Sequence, residues 1–103
     1  METFGQYIRQ LREGNNMPLR KLAAHLDIDQ STLSKIERNE RHPTKDMVPI
    51  IADVFDIDYK QLKIRFLSEK ITYELAEEDF GVEALKVAEK QMKYLKNQEA
   101  NVI

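Results

Sequence analysis

Met17 to Thr44 reads MPLRKLAAHLDIDQSTLSKIERNERHPT. Leu22, Ala23 and Leu26 recur at helical spacing and give the first part of this stretch one apolar face, which predicts a short helix over residues 18–26. Asp27-Ile28-Asp29 interrupts it, with Asp29 placed as the N-cap of a following helix and Ile28 as an apolar plug between the two. The second helix is predicted over residues 30–38. It buries Leu33 and Ile36 and leaves Gln30, Ser31, Ser34, Lys35 and Arg38 on its other side. Two short helices joined by a tight turn, the second opening with polar, base-sized side chains, make a shape that fits the major groove of DNA.

In that setting each polar residue has a chemical use. Gln30 opens the second helix, where its amide can pair with adenine N6 and N7. Ser31 and Ser34 are short and can meet a base edge or a phosphate, and Lys35, one turn beyond Ser31, can reach guanine O6/N7 or equally a phosphate. Thr32 lies nearer the groove wall, toward phosphate or a thymine methyl. Arg20 and Lys21, near the start of the preceding helix, are within reach of flanking phosphates.

The string QSTLSKIERNERHPT also resembles the Xre or lambda-repressor/Cro-like helix–turn–helix family. That family carries a recognition helix of the form S-Q-S-x-[IL]-S-K-[IL]-E-x-G, followed by a basic loop and a proline. The similarity runs from about Phe4 to Leu62. It implies an all-α fold: a five-helix lambda-repressor-like DNA-binding domain, here with a C-terminal helical extension. It also implies that the loop carrying Arg38, Arg41, His42 and Lys45 lies along the DNA backbone, where these residues position rather than read. Glu37 falls on the inner flank of its helix, an expensive place for a lone carboxylate. Arg12 matches the family's partner position, so the resemblance implies a structural Arg12–Glu37 ion pair. Three residues depart from the pattern. Leu19 stands where many relatives have a glutamine that braces the first recognition-helix residue, and Asp27 and Asn39 stand where glycine is frequent.

Outward from this segment, Thr3-x-x-Gln6 resembles a capping box, and Phe4, Ile8 and Leu11 predict a first helix over 3–13, ended by Gly14-Asn15-Asn16. A fourth helix is expected after Thr44, offering Met47, Val48, Ile51, Ala52, Val54 and Phe55 to the core, with Pro49 delaying or distorting its first turns. Asp58-x-x-Gln61 caps a fifth carrying Leu62, Phe66 and Leu67. Ser68–Leu75 reads as helix, because a lone strand there has no partner. Glu77-Glu78-Asp79 and Gly81 mark a break. Val82, Leu85, Ala88, Met92 and Leu95 then line one side of a helix over 82–96, with Lys86, Lys90, Lys93 and Lys96 off the stripe.

Residues 1–65 are therefore expected to form the DNA-binding domain. Residues 66–103 form an extension that either packs back on the core or serves dimerisation or partner binding, through Phe66, Leu67, Ile71, Leu75, Val82, Leu85, Ala88, Met92 and Leu95. The net charge of −2 divides unevenly: 11 Lys/Arg against 10 Asp/Glu in residues 1–65, and 5 against 8 in residues 66–103. The basic residues needed at a phosphate surface lie in the first part.

The 103 residues contain no cysteine, which excludes disulfides, thiolate metal sites and thiol catalysis. His25 and His42 form no local metal motif, and no Gly-rich phosphate loop or catalytic arrangement is present, so neither an enzyme nor a cofactor is expected. No apolar run suits a membrane helix and the start is no signal peptide, which points to the cytoplasm of a prokaryote or a phage-infected cell. The resemblance implies a transcriptional regulator, a repressor acting as a homodimer on an inverted-repeat operator. The alternative is an antitoxin or restriction–modification controller whose C-terminal segment binds a partner protein.

Overall fold

The computed structural model describes residues 1–101 and contains, among them, six α-helices and no strand. In chain order these are α1 (Phe4–Gly14), α2 (Leu19–His25), α3 (Gln30–Glu37), α4 (Met47–Val54), α5 (Tyr59–Leu75) and α6 (Gly81–Asn101). The chain forms two compact units, residues 1–69 and 70–103. No helix of the described residues is long and apolar enough to cross a membrane.

The capping signals act as their chemistry dictates. Thr3 Oγ1 accepts the Gln6 amide at 3.0 Å while Gln6 Oε1 accepts the Thr3 amide at 2.9 Å, a reciprocal box that satisfies two donors. Asp29 and Asp58 accept the amides of Thr32 and Gln61 at 2.7 and 3.2 Å. Pro49 falls in the first turn of α4, where a missing N–H costs nothing. The helix runs unbroken from Met47 to Val54, after a turn in which Thr44 and Lys45 carbonyls accept the Met47 and Val48 amides.

The first unit's core comprises Phe4, Ile8, Leu22, Ala23, Leu26, Leu33, Ile36, Met47, Val48, Ile51, Ala52, Leu62 and Phe66. Val54 and Phe55, expected in it, are half-buried at its margin. Gly5 is buried on α1 against α3, and a Cβ there would collide with the Ile36 carbonyl oxygen. That close approach is what lets α3 pack directly on α1 as well as on α2.

Phe66 corrects one expectation. It belongs to the core rather than to the expected dimerisation surface: it is only 7% exposed and meets Phe4 edge to face at 5.6 Å between ring centroids. It follows Leu62 by one turn on the buried side of α5 and completes the core. One residue past Ser68, Glu69 accepts the Phe4 amide through both carboxylate oxygens, at 3.0 and 3.1 Å, so an acid on α5 satisfies a free donor at the start of α1. The first unit accordingly continues through Glu69, past the boundary drawn at residue 65.

The second unit holds the end of α5, a turn, and α6. Phe80 takes the left-handed conformation (φ 65°), and Gly81 lies so close to the end of α5 that a Cβ would sit 2.6 Å from the Leu75 carbonyl oxygen. No described residue of α6 is buried. Val82, Leu85, Met92 and Leu95 are 64, 40, 52 and 59% exposed, and Ala88 is half-buried. Ile71 is exposed and Leu75 half-buried, while Leu67, in the first unit, is exposed.

Candidate nucleic-acid interface

Three apolar or paired residues hold α3 down and leave its other side open. Leu33 and Ile36 are 0 and 2% exposed, and Glu37, at 5%, is the one buried charged residue among those described. Its carboxylate receives two parallel bonds from Arg12, Nε to Oε2 at 2.8 Å and Nη2 to Oε1 at 3.0 Å. Arg12 Nη1 donates to the Met17 carbonyl at 3.0 Å. One guanidinium thus ties the end of α1 to the approach to α2 and to the inner face of α3. The hydrogen bonds to Glu37 raise the Arg12 pKa against the opposing effect of burial.

On the outer face Gln30, Ser31 and Lys35 are exposed, and Thr32 and Ser34 are half-buried on the flanks. The N-cap Asp29 binds two of its neighbours through one oxygen. Oδ1 accepts the Thr32 amide at 2.7 Å and the Ser31 hydroxyl at 3.0 Å. These bonds, the Thr32 amide foremost, lower the Asp29 pKa, with a smaller contribution from the charge of Arg41.

The basic residues fall on either side of α3. Arg20 and Lys21 are exposed near the start of α2, and Arg38, Arg41, His42 and Lys45 are exposed on the segment leading from α3 to α4. Arg38 is already engaged, its Nη2 3.1 Å from Glu40 Oε2 in an exposed ion pair. Sequence reasoning missed both this pairing and the hold of Asp29 on Ser31. The signal for the second was present, since an N-cap aspartate two residues before a serine is within its reach.

The turns that orient α3 run through left-handed residues. Asp27 (φ 55°) precedes it and Asn39 (φ 61°) follows it, both at positions that favour glycine. Leu19, where a bracing glutamine is frequent in the resembled family, packs instead at the margin of the core. It offers Gln30 no polar support. Among the described residues no group of three His, Asp or Glu side chains is arranged to hold a metal ion.

A buried clamp under a short helix, with polar residues outward and exposed cations on the segments before and after it, defines a helix–turn–helix DNA-binding module. The helix-turn-helix family model matches residues 8–62, more than half of the sequence, and the chain belongs to that family. It is similar to the uncharacterized HTH-type transcriptional regulator RghRB of Bacillus subtilis (strain 168), with 33% identity over 63 residues. That match covers 60% of this chain and 45% of the relative, so the chain spans less than half of the relative's length. No solved structure matches the chain.

Proposed function

We propose that this chain is a sequence-specific, double-stranded-DNA-binding transcriptional regulator, a repressor that acts as a homodimer on an inverted repeat. The observation that carries the reading is the two-sidedness of α3: Leu33, Ile36 and Glu37 are buried, while Gln30, Ser31 and Lys35 are exposed on a helix that cannot shift without breaking the Arg12–Glu37 pair. Gln30, Ser31, Ser34 and Lys35 contact bases. Arg20, Lys21, Thr32, Arg38, Arg41, His42 and Lys45 contact the backbone. Dimerisation is supported by the exposed apolar side chains on α6, which gain from burial against a second copy.

The test is selection of bound duplexes from a random library at about physiological salt. The expected result is a two-fold repeat with half-site centres roughly 10–11 base pairs apart. Binding without any enriched motif, lost on a modest rise in salt, would contradict sequence-specific regulation. A motif with only one half-site, bound by a protein that captures a different chain through residues 66–103, would favour the antitoxin or controller reading.

A further inference from the structure

A serine hydroxyl has one proton to give and two lone pairs, so on a groove-facing helix it can read a base edge as donor or as acceptor. At Ser31 the structure removes the choice. Its Oγ lies 3.0 Å from Asp29 Oδ1, and the same oxygen accepts the Thr32 amide at 2.7 Å. Those bonds hold the Asp29 carboxyl ionised, with a pKa below its ordinary value. An ionised carboxylate has no proton to give, so the hydrogen between the two oxygens belongs to Ser31. What the exposed hydroxyl turns outward is lone pairs.

We infer that Asp29 and Ser31 form a unit that reads an amino group in the major groove, adenine N6 or cytosine N4, with Ser31 Oγ as the acceptor and Asp29 as the positioning residue. The carbonyl edges of guanine and thymine, which need a donor, are refused by the same oxygen. The carboxylate works in the same direction, since its own negative charge favours an amino group nearby and disfavours a carbonyl. This inference rests on α3 being the element that enters the groove.

Each Watson–Crick pair shows one amino group in the major groove, so base-pair identity alone does not reveal which atom is read. The experiment therefore deletes atoms. Library selection with the full-length protein and with Ser31→Ala first locates the base pair at which preference depends on the hydroxyl. Duplexes are then made with that pair lacking only its amino group (purine for adenine, or pyrimidin-2-one for cytosine) or only its facing carbonyl.

Loss of the amino group is expected to weaken wild-type binding at least about fivefold more than it weakens Ser31→Ala binding, the lower end of what one base contact supplies. Carbonyl deletion is expected to affect both proteins equally. Asp29→Gly keeps a tolerated N-cap residue while freeing the hydroxyl to donate as well as accept, and is expected to shrink the selective loss on amino deletion and to add a selective loss on carbonyl deletion. Asp29→Asn, which keeps an accepting oxygen, is expected to retain the wild-type pattern.

Coupling of Ser31 to the carbonyl instead of the amino group would overturn the inference. So would an Asp29→Gly protein that folds and keeps the wild-type pattern, or a selection in which Ser31→Ala relaxes no position. Failure of the wild-type protein to select any motif would overturn the proposed function itself, an outcome distinct from a motif read with the wrong polarity.

Discussion

At the scale of single residues, burial decides what each charge is worth. The Glu37 side chain is 4% exposed and that of Arg12 13%, so neither has water to fall back on if the other is removed. Glu37→Ala is expected to cost about 3–5 kcal/mol in urea unfolding, because it leaves the largely desolvated Arg12 guanidinium without its carboxylate. Glu40 is the opposite case. Its pair with Arg38 is more than half exposed on both sides, so stability changes little when it is removed. Arg38 and Glu40 flank the end of α3, however, and a carboxylate there competes with phosphate. Glu40→Gln is expected to tighten DNA binding by roughly two- to fivefold, an effect that shrinks as salt is raised.

Asp29 adds a pH dependence of known sign. Its folded pKa lies below the ordinary 3.8, so the stability it contributes is complete above that value and is lost as pH falls through the lowered one. Comparison of wild type with Asp29→Gly is expected to show a stability difference that narrows only at strongly acidic pH. The partner of Glu37 was legible because a family pattern supplied Arg12. The pairings of Glu40 and Glu69 were not, since an exposed acid gives no sign in sequence of which cation or amide it will meet.

At the scale of helices, the ends carry the regularity. α1 to α4 each close with the same pair of backbone bonds, from the left-handed residue to the second-last carbonyl of the helix and from the next residue to the third-last. The left-handed positions are Asn16, Asp27, Asn39 and Asp56, none of them glycine. Met17, Ile28 and Ile57 follow three of these turns and pack against the core, as the hydrophobic contact of this cap requires. After α3 the equivalent residue is Glu40, which is exposed and pairs with Arg38 instead of packing on the core.

Aspartate bears a positive φ less freely than glycine, so Asp27→Gly is expected to raise stability by about 0.5–2 kcal/mol, read from the denaturant midpoint. Gly5→Ala is expected to do the reverse and loosen α1 from α3, because the added methyl meets backbone rather than a side chain that can move. Helix positions and the Thr3, Asp29 and Asp58 caps were readable from periodicity and side-chain chemistry. Gly5 was not, because a close backbone approach depends on which helices meet, and that is a property of the fold rather than of the local sequence.

For the whole molecule, the question is what covers the apolar side chains of α6. Leu85, Met92 and Leu95 share one side of the helix and remain 40–59% exposed in the single chain. Replacing Met92 and Leu95 with glutamate in the full-length protein disturbs no buried contact. The double variant is therefore expected to keep its circular dichroism and sediment as a monomer where wild type sediments as a dimer. It is also expected to lose most affinity for the two-fold operator while binding a half-site as wild type does. An unchanged dimer would place the interface elsewhere. The stripe itself was legible in sequence, but the core position of Phe66 on α5 was not, because an apolar residue at helical spacing looks the same whether it faces a core or a partner.

The central claim is that the exposed side of α3 reads bases, and Gln30 is the residue that tests it most directly. The measurement is the affinity of wild type and Gln30→Ala for the selected operator and for every single-base-pair variant of it, in one salt condition. Gln30→Ala is expected to lose discrimination at one symmetric pair of positions, by roughly 1–3 kcal/mol, and to keep it at the others. A uniform loss across all sequences, with every base preference intact, would contradict base reading by α3.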